Sequence, residues 1–149
     1  MIYISHRGNT TGPNKNLENS PDYIVSALEK YHCEIDVWYK NNLWFLGHDK
    51  PQYEISKDFF FKQNLWIHCK NIDALQQLID YADLNIFWHQ EDDYTITSKN
   101  FIWCYPNKLV NNTHRAICVM PELHNTDYLL FDGVCSDYIG TYYDKTSVV

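Results

Sequence analysis

Short apolar runs that end in polar clusters constrain this chain more than any other feature. Seven runs, at 2–4, 33–39, 65–70, 85–89, 101–105, 116–120 and 133–137, have the length and the β-branched and aromatic content of strands. Helical spacing occurs in two places. Ser20-Pro21-Asp22 supplies an N-cap, a proline at the first helical position and an acid in the first turn, and Ile24, Ala27, Leu28 and Tyr31 follow as a stripe. Asn71 or Asp73 caps a second stripe of Ile72, Leu75, Leu78, Ile79 and Ala82. This strand–helix alternation predicts parallel strands with right-handed crossovers, an α/β fold. The connections 90–100 and 107–115 are too polar and irregular for packed helices, so loops are expected there. With 149 residues and no repeat or linker, the chain reads as one domain, 1–149.

A formal charge of −7 argues against a nucleic-acid surface, which needs clustered Lys and Arg to neutralise phosphates. No apolar run approaches the length of a membrane span, and the first residues lack a basic-then-apolar leader, so a soluble, unprocessed protein is expected. The five cysteines, at 33, 69, 104, 118 and 135, form no C-x-x-C pair and lie in separate apolar runs. That pattern predicts reduced, buried thiols and a cytoplasmic setting.

Four polar clusters stand in order near the front: His6-Arg7-Gly8, Glu18-Asn19, Glu34-Ile35-Asp36 and Gly47-His48-Asp49. Period-two geometry sends Glu34 and Asp36 to one face of their strand, with Cys33, Ile35 and Val37 on the other. Asn41-Asn42 turns the chain into a returning arm, 43–46, which would bring His48 back to the rim that Glu34 and Asp36 occupy. The same alternation puts His68 and Lys70 on a shared face. Taken singly, each cluster also fits a turn histidine, a pair of solvated carboxylates or a hairpin cap.

In this order, HRG, EN, ExD and HD, the clusters resemble the N-terminal part of the glycerophosphodiester phosphodiesterase family, enzymes built on (β/α) barrels. The resemblance implies a contracted (β/α) TIM-type barrel, with helices missing or replaced by loops in the second half. It implies a metal-dependent phosphodiesterase acting on a small-molecule phosphodiester, by hydrolysis or by cyclisation through the substrate's own hydroxyl. Glu34 and Asp36 would hold Mg²⁺ or Ca²⁺, because hard cations take carboxylate oxygens. His6 and His48 would be the base and acid, since imidazole titrates near neutrality. Arg7 and Lys70 would bind phosphoryl oxygens, with Glu18, Asn19 and Asp49 in support.

The departure falls at the third strand, where the family has Glu-x-Lys and this chain has His68-Cys69-Lys70. Three outcomes stay open. His68 ligates and favours Mn²⁺ or Zn²⁺; Glu18 or Glu122 supplies the missing oxygen; or the metal is held weakly, leaving a non-catalytic phosphate-ester-binding or regulatory module. Cys135-Ser136-Asp137-Tyr138 resembles the family's last-strand TDxP ending, without its proline. Trp38 and Trp88 fit either the pocket or the core.

Overall fold

A computed structural model describes residues 1–147. In chain order the elements are β1 (Ile2–His6), α1 (Pro21–Leu28), β2 (His32–Lys40), β3 (Leu43–Leu46), β4 (Tyr53–Ile55), β5 (Leu65–Cys69), α2 (Ile72–Leu78), β6 (Ile86–Phe87), β7 (Tyr94–Ile96), β8 (Ile102–Cys104), β9 (Ala116–Val119), β10 (Gly133–Ser136) and α3 (Ile139–Ser147). The seven expected strands are present as β1, β2, β5, β6, β8, β9 and β10, several of them shorter than expected. They run parallel, in the spatial order β6-β5-β2-β1-β10-β9-β8. Three strands are antiparallel additions: β3 and β4 flare from the far half of β2, and β7 borders β8.

The expected (β/α) TIM-type barrel is therefore corrected to one curled, mixed sheet. α-Helices follow only β1, β5 and β10 among the described residues, and the other helical pieces are the short 3₁₀ turns Lys57–Phe61, Pro121–Leu123 and Tyr128–Leu130. The reason lies in the connections. Asn41 and Asn42 both take positive φ, the geometry of a tight hairpin turn, so β2 folds back into β3 where a barrel would place a crossover helix. Asn100, Asn107 and Asn125 also hold positive φ, a conformation no helix interior accepts, within the segments joining the later strands. Two elements were not anticipated from sequence besides β4: β7 inside the polar 90–100 connection, and α3 near the end of the chain.

Two apolar faces hold the sheet. On the outer face Ile35, Val37, Leu65, Ile67 and Ile86 pack under α1 and α2 through Ile24, Ala27, Ala74 and Leu78. On the inner face Ile4, Trp66, Phe87, Trp103, Ile117 and Cys135 meet from six strands. Each large side chain so buried contributes roughly 1.5–3 kcal/mol. The β5–β6 arm and the β8 arm share no strand pairing among the described residues. They meet through rings, Phe87 to Trp103 at 4.9 Å and Trp66 to Trp103 at 5.8 Å. Aromatic packing completes the curl together with Ser98, whose N–H donates to Ile86 O at 2.8 Å and whose Oγ accepts from Ile86 N–H at 2.9 Å, in place of a closed strand ladder.

All five cysteines are free and buried. No helix of the described residues is long and apolar enough to cross a membrane.

Candidate functional site

His6 closes β1 opposite Glu34 of β2. The chain leaves the strand through Arg7 at φ +58° and Gly8 at φ +94°. Arg7 is fixed at both polar ends of its backbone: its N–H donates to Glu34 O (3.0 Å), and its O accepts from Asn19 N–H (3.0 Å). Gly8 cannot be replaced cheaply, because a Cβ there would lie 2.6 Å from Cδ1 of Tyr23. The HRG sequence is thus a sharp turn that leaves an imidazole and a guanidinium at the C-terminal ends of the parallel strands.

Strand alternation places Glu34 and Asp36 on the inner face, as expected, while Cys33, Ile35 and Val37 join the outer core. Asp36 is fully buried. Asn19 brackets it, donating from Nδ2 to Oδ2 and accepting the Asp36 N–H at Oδ1, both at 2.9 Å. Arg7 Nε approaches Oδ2 at 2.9 Å, a close charge pair whose N–H is misaligned for a hydrogen bond. Lys70 Nζ lies 3.6 Å from Oδ1. Burial opposes ionisation, but the His68 hydrogen bond and the Arg7 and Lys70 charges outweigh it and hold Asp36 well below the usual carboxylate range. Glu34 goes the other way. Burial and the neighbouring Asp36 charge push it up, and its Oε2 is buried without a hydrogen-bond partner.

His68 stands opposite Asp36 in register and points inward beside Lys70, on the face that alternation predicts. Its ring lies between partners. Nε2 faces the carbonyl of His89 at 3.3 Å, and Nδ1 faces Asp36 Oδ1 at 3.1 Å and Glu34 Oε1 at 3.8 Å. With Asp36 ionised, the contact at 3.1 Å is an Nδ1–H donating to the carboxylate, the bond that helps hold Asp36 low. Candidate ligand atoms, one each from Glu34, Asp36 and His68, lie within 4.8 Å of one another, and His68 would join a cation there on giving up its proton. The backbone carbonyl of His89 behind Nε2 is the kind of support that a metal-bound histidine uses. Together with the unpartnered Glu34 oxygen, this donor set fits a divalent cation. His89 stacks on His68 at 4.4 Å, and burial, with His68 and Lys70 nearby, pushes it down to about 4.

Asp137, one residue past β10, was not singled out from sequence as a site residue. Its Oδ1 lies 2.8 Å from His6 Nδ1 and accepts from Asn9 Nδ2 at 2.8 Å. Burial lowers the His6 pKa, but the Asp137 hydrogen bond and the Glu34 charge reverse this, and the net shift is upward. Asp137 itself is lowered: burial is outweighed by the bonds to His6 and Asn9. With Nδ1 tied to Asp137, Nε2 of His6 faces the carboxylate pair, 4.0 Å from Glu34. Two sequence cues bore on it: the likeness of Cys135-Ser136-Asp137-Tyr138 to a TDxP strand ending, and period two, since inward Cys135 requires Asp137 to be inward as well.

The other expected residues divide. Glu18 braces the loop, reaching Arg7 at 3.4 Å and accepting from Asn9 at 3.0 Å, so it supplies no oxygen to the carboxylate pair. Glu122 is likewise engaged elsewhere, accepting from Ser136 Oγ at 2.7 Å. His48 sits half-buried at the rim, its pKa lowered by burial and by the Arg7 charge. Asp49 is exposed and touches only His48 here, at 2.7 Å. Trp38 ties the hairpin by donating to Gly47 O at 2.7 Å, whereas Trp88 lines the cleft.

A cleft of about 490 Å³ gathers His6, Arg7, Glu34, His48, His68 and Lys70. A second hollow, of about 320 Å³, opens at the opposite ends of the strands beside His32 and Phe101 and shares none of these groups. Against known proteins, no family model, no curated protein and no solved structure matches this chain.

Proposed function

We propose that this protein is a metal-assisted phosphodiesterase acting on a small phosphodiester, in the manner of the glycerophosphodiester phosphodiesterases that its front motifs resemble. The observation that carries the reading is the convergence on one cleft of an aspartate-anchored histidine, the Glu34 and His68 edge of a buried Glu34-Asp36-His68 cluster, and the basic side chains Arg7 and Lys70. Glu34, Asp36 and His68 would hold the cation; one imidazole with two carboxylates suits Mn²⁺ or Zn²⁺ better than Ca²⁺. Bound there, it supplies charge that offsets the phosphoryl oxygens.

The chain's own groups do the rest. Arg7 and Lys70 are cationic donors for the non-bridging oxygens. Of His6 and His48, one takes the proton from the attacking hydroxyl as the new P–O bond forms. The other protonates the departing alkoxide as the old P–O bond breaks. Asp137 keeps the His6 ring oriented, with Nε2 toward the cleft. Five unpaired thiols suit a reducing, cytoplasmic setting.

The replacement of the family's third-strand Glu by His68 favours a second reading, a binding module without turnover. One experiment separates the two: calorimetric titration with Mn²⁺, Zn²⁺, Mg²⁺ and Ca²⁺, followed by a diester hydrolysis panel at the best metal. The enzyme reading expects metal binding that Glu34→Gln weakens, and turnover that depends on that metal. Diester binding with no turnover at any metal replaces it with the binding module.

A further inference from the structure

The hollow of about 320 Å³ at the opposite ends of the strands has no part in the phosphodiesterase reading, and its lining combines aromatic rings with hydrogen-bond donors. Trp66 and Phe101 pack with ring centroids 5.0 Å apart, and Phe60 and Phe61, from the turn Lys57–Phe61, add two more rings. Trp66 Nε1–H donates to His32 Nδ1 at 3.1 Å, which fixes the tautomer: the proton of the neutral ring sits on Nε2. Burial lowers the His32 pKa, so the ring stays neutral near pH 7. Its Nε2–H has no partner among the described residues. Asn85 keeps its Oδ1 buried without a hydrogen-bond partner, which leaves the NH₂ end of the amide for a guest. Lys62 and Lys99 also line the hollow, against Asp83 as its one carboxylate. Neither lysine enters an ion pair among the described residues; Lys99 donates to Ala82 O at 2.5 Å. In a chain of formal charge −7 this spot is locally basic.

We infer that this hollow is a second binding site, for a small aromatic carboxylate whose ring packs on Trp66 and Phe101 and whose carboxylate accepts from His32 Nε2–H. The amide of Asn85 and the two lysines surround that carboxylate. Each half of the guest answers one half of the lining. A ring covers apolar area and meets the indole and phenyl rings edge to face or offset. A carboxylate only accepts, which is what imidazole N–H, amide NH₂ and ammonium groups require. A neutral hydrocarbon would strip water from those donors and return nothing. A bare anion would leave the rings in water. The volume lies at the small end of ligand pockets, roughly 300–1,000 Å³, so a guest of one or two rings fits.

The test is NMR of the five indole N–H groups in the full chain, with the Trp66 and Trp88 signals assigned, during titration with phenylacetate. Trp66 reports on this hollow and Trp88 on the cleft, which also carries cations and rings. The Trp66 signal is expected to move downfield and saturate, because an anion accepting from His32 Nε2–H makes Nδ1 the better acceptor. Trp88 should stay in place. Phenylacetamide keeps the ring and loses the charge; acetate keeps the charge and loses the ring. Each should bind roughly 10–100-fold more weakly than phenylacetate, the worth of a charged hydrogen bond or of a buried ring. His32→Phe should narrow the gap between phenylacetate and its amide, and the ligand series on wild type decides the matter if that variant does not fold. An unmoved Trp66, equal binding of acid and amide, or a shift at Trp88 without one at Trp66 each overturns the inference, and none of them bears on the phosphodiesterase reading.

Discussion

Residues 1–78 and residues 79–147 build the same cleft from unlike materials. The first part contributes His6, Arg7, Glu34, His48, His68 and Lys70; the second contributes mainly Trp88, Trp103, Tyr105, Met120 and Leu123, with His89 and Gln90 its polar members. The first part keeps strand–helix alternation through α1 and α2, and its strands are long enough to hold charged groups two residues apart on one face. The second relies on strands of two to four residues joined by polar loops, and it adds no helix before α3. The difference teaches that chemistry and shape are separable here. Charge needs strands that fix geometry to fractions of an ångström, whereas an apolar wall tolerates short strands and loops.

If the first part carries the chemistry, His6→Ala should cut turnover by roughly 10²–10⁴-fold with little change in KM. Steady-state kinetics on a glycerophosphodiester checks this, and undiminished kcat would move the chemistry elsewhere. The same region should also be the more fragile to loss of charge. Asp36→Ala leaves Arg7, His68 and Lys70 without their shared anion and should cost about 3–5 kcal/mol, read by urea denaturation in metal-free buffer. A loss below about 1 kcal/mol would mean that the buried cluster is not a stabilising network.

Asp137 is where the comparison can break, since it is a second-part residue tied to a first-part histidine. Asp137→Asn should lower the His6 pKa, followed by NMR titration of the ring in the metal-free protein. In wild type the raised His6 pKa gives stability that is complete below pH ~6.5 and lost as pH rises through the folded value. The depressed Asp137 pKa gives stability present above pH ~4 and lost as pH falls. An unchanged His6 titration in the variant would detach Asp137 from the site. The smallest effect is expected from Ile117→Val, in the inner core of the second part. It should cost about 0.5–1.5 kcal/mol and leave kcat unchanged, by thermal melting and kinetics side by side.

The sequence by itself determined the local facts. Alternation put Glu34 with Asp36 and His68 with Lys70, Asn71 or Asp73 offered the cap that Asn71 gives α2, and the HRG turn delivered His6 to a strand end. Each follows from bond geometry within a few residues, so each was legible without knowing the neighbours. Only the tertiary structure decided which strands meet. His6 and Asp137 are 131 residues apart, and nothing local says that β10 lies beside β1. His68 likewise acquired its setting from the carbonyl of His89, on a different strand's end. The barrel expectation failed for the same reason. Periodicity marks a strand, but whether a sheet closes depends on what its connections can pack and where its two arms find each other, here at Trp66, Phe87 and Trp103. That is a sum over long-range contacts, and no window of sequence contains it.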